Sequence, residues 1–300
     1  MELRHWTMDD ARGALLQAGL VQYGETLECS TRENRSAVRL PNDRIAWFPT
    51  SAEGWRLLIK ERRVLRLLEE HCRFPAPRVL YEDQTGWDLR KFVRGAVRPA
   101  GLRERIQHDL AFARLFGADL GRILAEQHTC IPSMDLQGWL PPIPNWPRPE
   151  DLPNLSRVVP DANLLERINL ALERRAAIQN DHSVLVHGDL GLHNIVVDPD
   201  TLRITGVIDY EEAGFGDQHQ DFAYMVFQQH EEPMLEGALA AYELAAGTKI
   251  DRDRVQLLNA VAAIGFLAFR YGHPPEEAWC GRTLEEDLAW TREALVHAGL

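Results

Sequence analysis

Three short apolar runs constrain this chain most: Val184-Leu185-Val186, Asn194-Ile195-Val196-Val197 and Ile204-Thr205-Gly206-Val207-Ile208. Each is too short for a core helix and rich in β-branched residues, so each reads as a strand. The first two surround a polar loop. Beyond them the chain has helical period, over Glu236–Ala246, Val255–Phe269 and Leu284–Ala298. The second half is therefore expected to be mostly helical, with a small sheet holding the polar loop.

The first half reads differently. Ser36–Leu40 and Arg44–Phe48 flank Pro41-Asn42-Asp43, a good turn. Glu53 to His71 carries Leu57, Leu58, Val64, Leu65 and Leu68 near helical spacing, and Pro75 and Pro77 stop it. Arg78–Tyr81 and Trp87–Val93 read as two more strands, so a β-rich region with one long helix ends near Gly95. Arg103 to His128 reads as one long helix. Prolines crowd residues 131–160, where no regular element is expected. Asp161 is placed to cap a helix running to about Asn180.

A length of 300 residues with 45% apolar content supports a sizeable core, in one large domain or two lobes. No run of 18 apolar residues occurs, and Met1-Glu2-Leu3-Arg4-His5-Trp6 opens no signal-like segment. A soluble, cytoplasmic protein without a membrane partner is the expectation. Cys29, Cys72, Cys130 and Cys280 are far apart, which suggests reduced, mostly buried thiols and no zinc site. The net charge of −12 is uneven: residues 1–180 sum to +2 and residues 181–300 to −14. An acidic final third repels nucleic acid and suits a cationic small molecule.

The chemistry concentrates in Val186-His187-Gly188-Asp189-Leu190-Gly191-Leu192-His193-Asn194, followed by Ile208-Asp209-Tyr210-Glu211. A carboxylate in a tight loop, an amide before the next strand and a second carboxylate after the strand beyond suit phosphoryl transfer. Asp189 can accept the proton of an attacking hydroxyl. Asn194 and Asp209 offer hard oxygen ligands to Mg²⁺, which keeps most of its places for water and phosphate oxygens.

These segments resemble the catalytic loop and metal-binding segment of the aminoglycoside phosphotransferase and choline kinase-like family. Gly214, Gly216-Asp217 and Asp221-Phe222 continue the likeness, and Asp119–His128 is similar to a family helix. The resemblance implies an α+β, two-lobed protein kinase-like fold, with a nucleotide-binding lobe over 1–94 and a catalytic, substrate-binding lobe over 95–300. It implies about five antiparallel strands and one main helix in the first lobe. It implies ATP or GTP as co-substrate with Mg²⁺, Asp189 as base, Asn194 and Asp209 at the metal, and His187, Asp217 and Asp221 bracing the loop.

On the nucleotide side, the likeness covers Asn34 in a phosphate-side hairpin turn, Glu61 on the following helix, and a hinge near Lys91, Phe92 and Val93. The strand position that should carry a Lys or Arg holds Trp47, so Arg44, Arg39 or Lys60 is expected to substitute. Glu211, Glu231 and Glu276 are the carboxylates expected to face the acceptor. The implied activity is transfer of a γ-phosphate to a hydroxyl of an aminoglycoside-like or other hydroxylated small molecule. The alternatives are a metabolic kinase for choline, homoserine or a thiosugar, and a non-catalytic nucleotide-binding protein of the same fold.

Overall fold

The computed structural model describes residues 6–32, 34–144, 147, 150–179, 183–229, 232–271 and 282–300. Its first elements are α1 (Met8–Gln17), β1 (Glu28–Thr31), β2 (Arg35–Leu40), β3 (Arg44–Pro49), α2 (Ala52–His71), β4 (Arg78–Glu82), β5 (Asp88–Lys91) and β6 (Ala96–Val97). Then come α3 (Leu102–His108), α4 (Leu110–Cys130), α5 (Ser133–Leu136), α6 (Leu152–Val158) and α7 (Ala162–Ala176). β7 (Ser183–Val186), β8 (Ile195–Val197), β9 (Ile204–Val207) and β10 (Gly214–Asp217) lead to α8 (His219–Gln229), α9 (Glu232–Ala246), α10 (Arg252–Phe269) and α11 (Leu284–His297). A 3₁₀ turn, Tyr210–Glu212, joins β9 to β10. No helix among the described residues is long and apolar enough to cross a membrane.

The chain forms two compact units, and neither is contiguous. One holds residues 1–102 and 192–213; the other holds 103–191 and 214–300. The division read from the sequence, 1–94 and 95–300, is contiguous, and it places 95–102 and 192–213 differently.

In the first unit the strands run in the order β1-β2-β3-β5-β4, all antiparallel. Asn42 and Asp43 take left-handed backbone angles in the β2–β3 turn, which these residue types tolerate. α1 covers the sheet: Trp6, Ala11 and Leu15 pack with Val38, Ala46, Phe48, Trp87 and Leu89. This helix is absent from the sequence reading, yet its start is written there. Thr7 and Asp10 form a reciprocal capping box.

The second unit is helical. α6, α7, α10 and α11 share a core that includes Leu155, Leu164, Ile168, Ile264, Leu267, Trp290 and Leu295. Three expectations change here. The helix expected over 103–128 is two helices, because Asp109 caps α4 by accepting from the Phe112 amide. The proline-dense segment contains α5 and α6; Pro153 falls in the first turn of α6, where a missing amide hydrogen does no harm. Cys29 and Cys130 are exposed rather than buried.

The three apolar runs also divide. β7 pairs with β10 in the second unit, while β8 pairs with β6 on one side and β9 on the other in the first. β10 reads Gly-Phe-Gly-Asp and β6 is two residues long, so neither announces itself by periodicity.

Candidate active site

Asp189 follows β7 in a loop whose backbone is clamped by one carboxylate. Asp221, on α8 and 1% exposed, accepts from the His187 amide at 3.1 Å and the Gly188 amide at 3.3 Å. Gln127 Nε2 donates to the same carboxylate at 3.3 Å, and His128 Nε2 lies 3.1 Å from it. His128 Nδ1 is 3.2 Å from the Tyr242 hydroxyl, which donates to Gln218 Oε1 at 3.0 Å. Burial raises the Tyr242 pKa, so the hydroxyl stays protonated.

His187 is fully buried, and its Nδ1 accepts from the Asp189 amide at 3.2 Å. Gly188 takes φ +83°, a conformation that favours glycine. The outcome is a tight turn held at three successive amides, with the Asp189 side chain left partly exposed. Asp217 acts elsewhere: it accepts from the His219 amide at 3.0 Å and ring at 2.6 Å, and from Arg254 at 2.6 Å.

Asn194 and Asp209 belong to the first unit, at one end of the β8–β9 ladder. Ile195 pairs with Val207, and the Ile208 amide donates to the Asn194 carbonyl at 2.9 Å. This register sets Asn194 level with Ile208, one residue before Asp209. Asp209 has φ 68° and ψ 63°, a left-handed conformation that costs a non-glycine residue about 1–2 kcal/mol. Among the described residues no three His, Cys, Asp or Glu groups are placed to hold a metal. One carboxylate beside one amide is a donor set of hard oxygens with few protein ligands, which fits Mg²⁺.

Around Asp209 lies a charged network within the same unit. Arg35 Nη2 is 2.9 Å from Asp209, and Arg35 Nη1 is 2.7 Å from Glu211 and 3.7 Å from Glu61. Glu61, on α2 and 3% exposed, accepts from Arg90 at 2.6 Å and from the Tyr210 amide at 3.2 Å. Arg90 also reaches Asp88 at 3.1 Å, and Asp88 pairs with Arg62 at 2.6 Å. Strand register explains the grouping. Trp47 on β3 lies opposite Ala37 on β2 and Asp88 on β5, so Arg35, Trp47, Asp88 and Arg90 share one sheet face. The Arg35 guanidinium sits 4.4 Å from the Trp47 ring centroid and that of Arg90 5.9 Å from it.

The electrostatics follow from this packing. Burial opposes the charge of Glu61, but Arg90 and Arg35 overcome it and hold its carboxyl below the usual value. Burial also opposes the charge of Arg35, and its three carboxylate neighbours outweigh that. Glu211 goes the other way: burial, with Asp209, Glu61 and Glu212 nearby, pushes it up to about 7 despite Arg35.

The structure gathers some of the expected nucleotide residues and separates others. Glu61 sits in the arginine network. Lys91, Phe92 and Val93 line a cavity of about 950 Å³ with Phe74, Pro75 and Ile204. Asn34 is engaged in the turn before β2, where Ser51 donates to its side chain at 2.8 Å. Arg44 donates from Nε to the Pro41 carbonyl at 2.9 Å. Arg39 is an exposed partner of Glu28 at 3.4 Å, and burial lowers the pKa of the half-buried Lys60. The basic groups at Glu61 are instead Arg35 and Arg90, which strand alternation marks once the register is known. Of the expected acceptor-facing carboxylates, Glu211 lies in the Arg35 network, while Glu231 and Glu276 fall outside the described residues.

Comparison with known proteins agrees with this architecture. Streptomycin 3''-kinase of Streptomyces griseus is 34% identical over 128 residues, covering 43% of this chain and 39% of that one. Aminoglycoside 3'-phosphotransferase of Streptomyces fradiae is 43% identical over 49 residues, 16% of this chain and 18% of its own. The chain therefore matches well under half the length of these relatives. Wild-type aminoglycoside 2'-phosphotransferase-IIIa, solved as a GDP complex, superposes with a TM-score of 0.70 at 19% identity, covering 96% of this chain and 98% of that one. Macrolide 2'-phosphotransferase MphH from Brachybacterium faecium gives 0.65 at 20% identity, covering 97% and 98%. These structural likenesses show the kinase-like fold. The phosphotransferase enzyme family profile matches residues 28–258, more than three quarters of the sequence, and the chain belongs to that family.

Proposed function

We propose that this protein is a small-molecule kinase that transfers the γ-phosphate of ATP or GTP to a hydroxyl group. The observation that supports this reading is the end of the β8–β9 ladder, where Asn194 is bonded through its carbonyl to Ile208, the residue before a left-handed Asp209, so that two residues with hard oxygen donors close the ladder. Asp189, five residues before Asn194, is the base, and its loop is fixed by Asp221 and His187. Asn194 and Asp209 would hold Mg²⁺, which when bound would neutralise negative charge on the nucleotide's phosphates. Asp189 accepts the proton of the acceptor hydroxyl as that oxygen attacks phosphorus. His187 sets the direction of the loop and takes no proton.

The acceptor class follows from charge and kinship. Residues 181–300 carry an excess of 14 negative charges, which favours a polycation. Relatives named for streptomycin and other aminoglycosides point the same way, so aminoglycosides come first. A macrolide comes second, since a macrolide phosphotransferase shares the fold.

The test incubates the protein with Mg²⁺ and ATP or GTP against a panel of aminoglycosides, macrolides, choline and homoserine, and reads products by mass spectrometry. A gain of one phosphate on an aminoglycoside is the expected result. Transfer to choline or homoserine alone would replace the acceptor class. No transfer to any acceptor, with nucleotide binding intact, would favour a non-catalytic binding protein.

A further inference from the structure

A nucleotide triphosphate brings several negative charges, and its metal neutralises only part of them. A protein cation must therefore meet the phosphates. The first unit offers many arginines, but most are committed. Arg90 is 2% exposed and held between Glu61 and Asp88. Arg62 is buried between Asp88 and Glu82. Arg44 is bonded to a turn carbonyl, and Arg39 pairs with Glu28 far out in solvent.

Arg35 is different in its surroundings. One side rests on buried Glu61 and on the Trp47 ring. Its other contacts, Asp209 and Glu211, are partly open to solvent, at 21% and 24% exposure. Asp209 is also the carboxylate assigned to the metal. A metal held by Asp209 would compete with Arg35 for that carboxylate and would loosen one arm of the guanidinium, while Glu61 and Trp47 keep its base in place. A planar fork so released is suited to a phosphate oxygen pair.

We infer that Arg35 is the residue that contacts the nucleotide phosphates, anchored by Glu61 and Trp47 and paired to Asp209 when that carboxylate holds no metal. The inference rests on the Mg²⁺–nucleotide reading above. It assigns Trp47 a function as the aromatic floor beneath Arg35, in the place where the family resemblance leads one to expect a basic residue.

The experiment measures binding by calorimetry for the wild type and Arg35→Gln, using Mg·ATP and Mg·GTP with adenosine and guanosine as phosphate-free controls. Losing one charge-assisted contact should weaken the preferred triphosphate about tenfold or more. The matching nucleoside should bind within about twofold of wild type, because the base site is untouched. Equal weakening of triphosphate and nucleoside would mean that Arg35 is only structural, and would overturn the inference. Unchanged triphosphate binding would overturn it as well, leaving the kinase reading in place. A wild type that binds no Mg·nucleotide would overturn both. Should Arg35→Gln not fold, Arg35→Lys carries the same comparison, since it keeps the charge but not the fork. There a loss of about threefold or more for the triphosphate alone is expected.

Discussion

At the scale of residues, the network at Glu61 shows how buried charge is tolerated. Glu61 and Arg90 are almost fully buried, and their lost hydration is offset by each other and by Arg35, Asp88 and the Tyr210 amide. Removing one partner strands the rest. Arg90→Met is expected to lower unfolding free energy by about 3–5 kcal/mol, read from urea denaturation, because Glu61 and Asp88 lose a shared cation. Asp217 gives a pH-dependent counterpart. Burial pushes its carboxyl up, but the His219 bonds and the Arg254 charge hold it below the ordinary value. A group depressed on folding stabilises fully above its unfolded pKa, about 3.9, and loses that contribution as pH falls through the lower folded value. Asp217→Asn should therefore be less stable than wild type at pH 7, and the gap should narrow as pH falls from about 4 downward. Urea midpoints measured from pH 7 to 3 check this; a gap that widens in acid would contradict it.

At the scale of elements, glycines decide how closely pieces approach. On α4, a Cβ at Gly117 would stand 1.9 Å from the Met234 carbonyl oxygen, and one at Gly121 2.1 Å from that of Ala238. Gly237 on α9 reciprocates, with its Cβ position 2.1 Å from the Arg114 carbonyl oxygen. The α4–α9 contact is thus backbone against backbone, and rigid atoms cannot yield as a flexible side chain would. Gly121→Ala is expected to cost about 1–3 kcal/mol by forcing the two helices apart, with the thermal midpoint as the readout. The same reasoning applies where α2 meets the turn before β2: a Cβ at Gly54 would lie 1.8 Å from the Asn34 carbonyl oxygen. That contact, with Ser51 bonded to Asn34, fixes the start of β2, and Arg35 is its first residue.

At the scale of the whole molecule, sequence pattern reached the strands and long helices because their periods and caps are local. Asp161 capping α7 and Asn42-Asp43 turning the β2–β3 hairpin need no distant partner. Asp189, Asn194 and Asp209 were named from a short local motif and its family resemblance. What was not legible depends on register and on contacts distant in sequence. Arg35 and Arg90 meet Glu61 only because β2, β3 and β5 pair as they do. Asp221 meets the His187 and Gly188 amides from 33 or 34 residues away, a bracing role that only the family resemblance suggested. The basic residue was expected at Arg44, Arg39 or Lys60, whereas the cations beside Glu61 are Arg35 on β2 and Arg90 on β5.

The proposed role of Asp189 as the base of a metal-dependent phosphoryl transfer is tested by a single-turnover measurement. Single-turnover transfer of labelled γ-phosphate from the bound nucleotide to an aminoglycoside acceptor is compared for wild type and Asp189→Ala, both saturated with Mg²⁺. Nucleotide affinity is measured on the same samples. The transfer rate is expected to fall by about 10²–10⁴ while nucleotide affinity stays within about twofold. Transfer at a near wild-type rate in Asp189→Ala would contradict it.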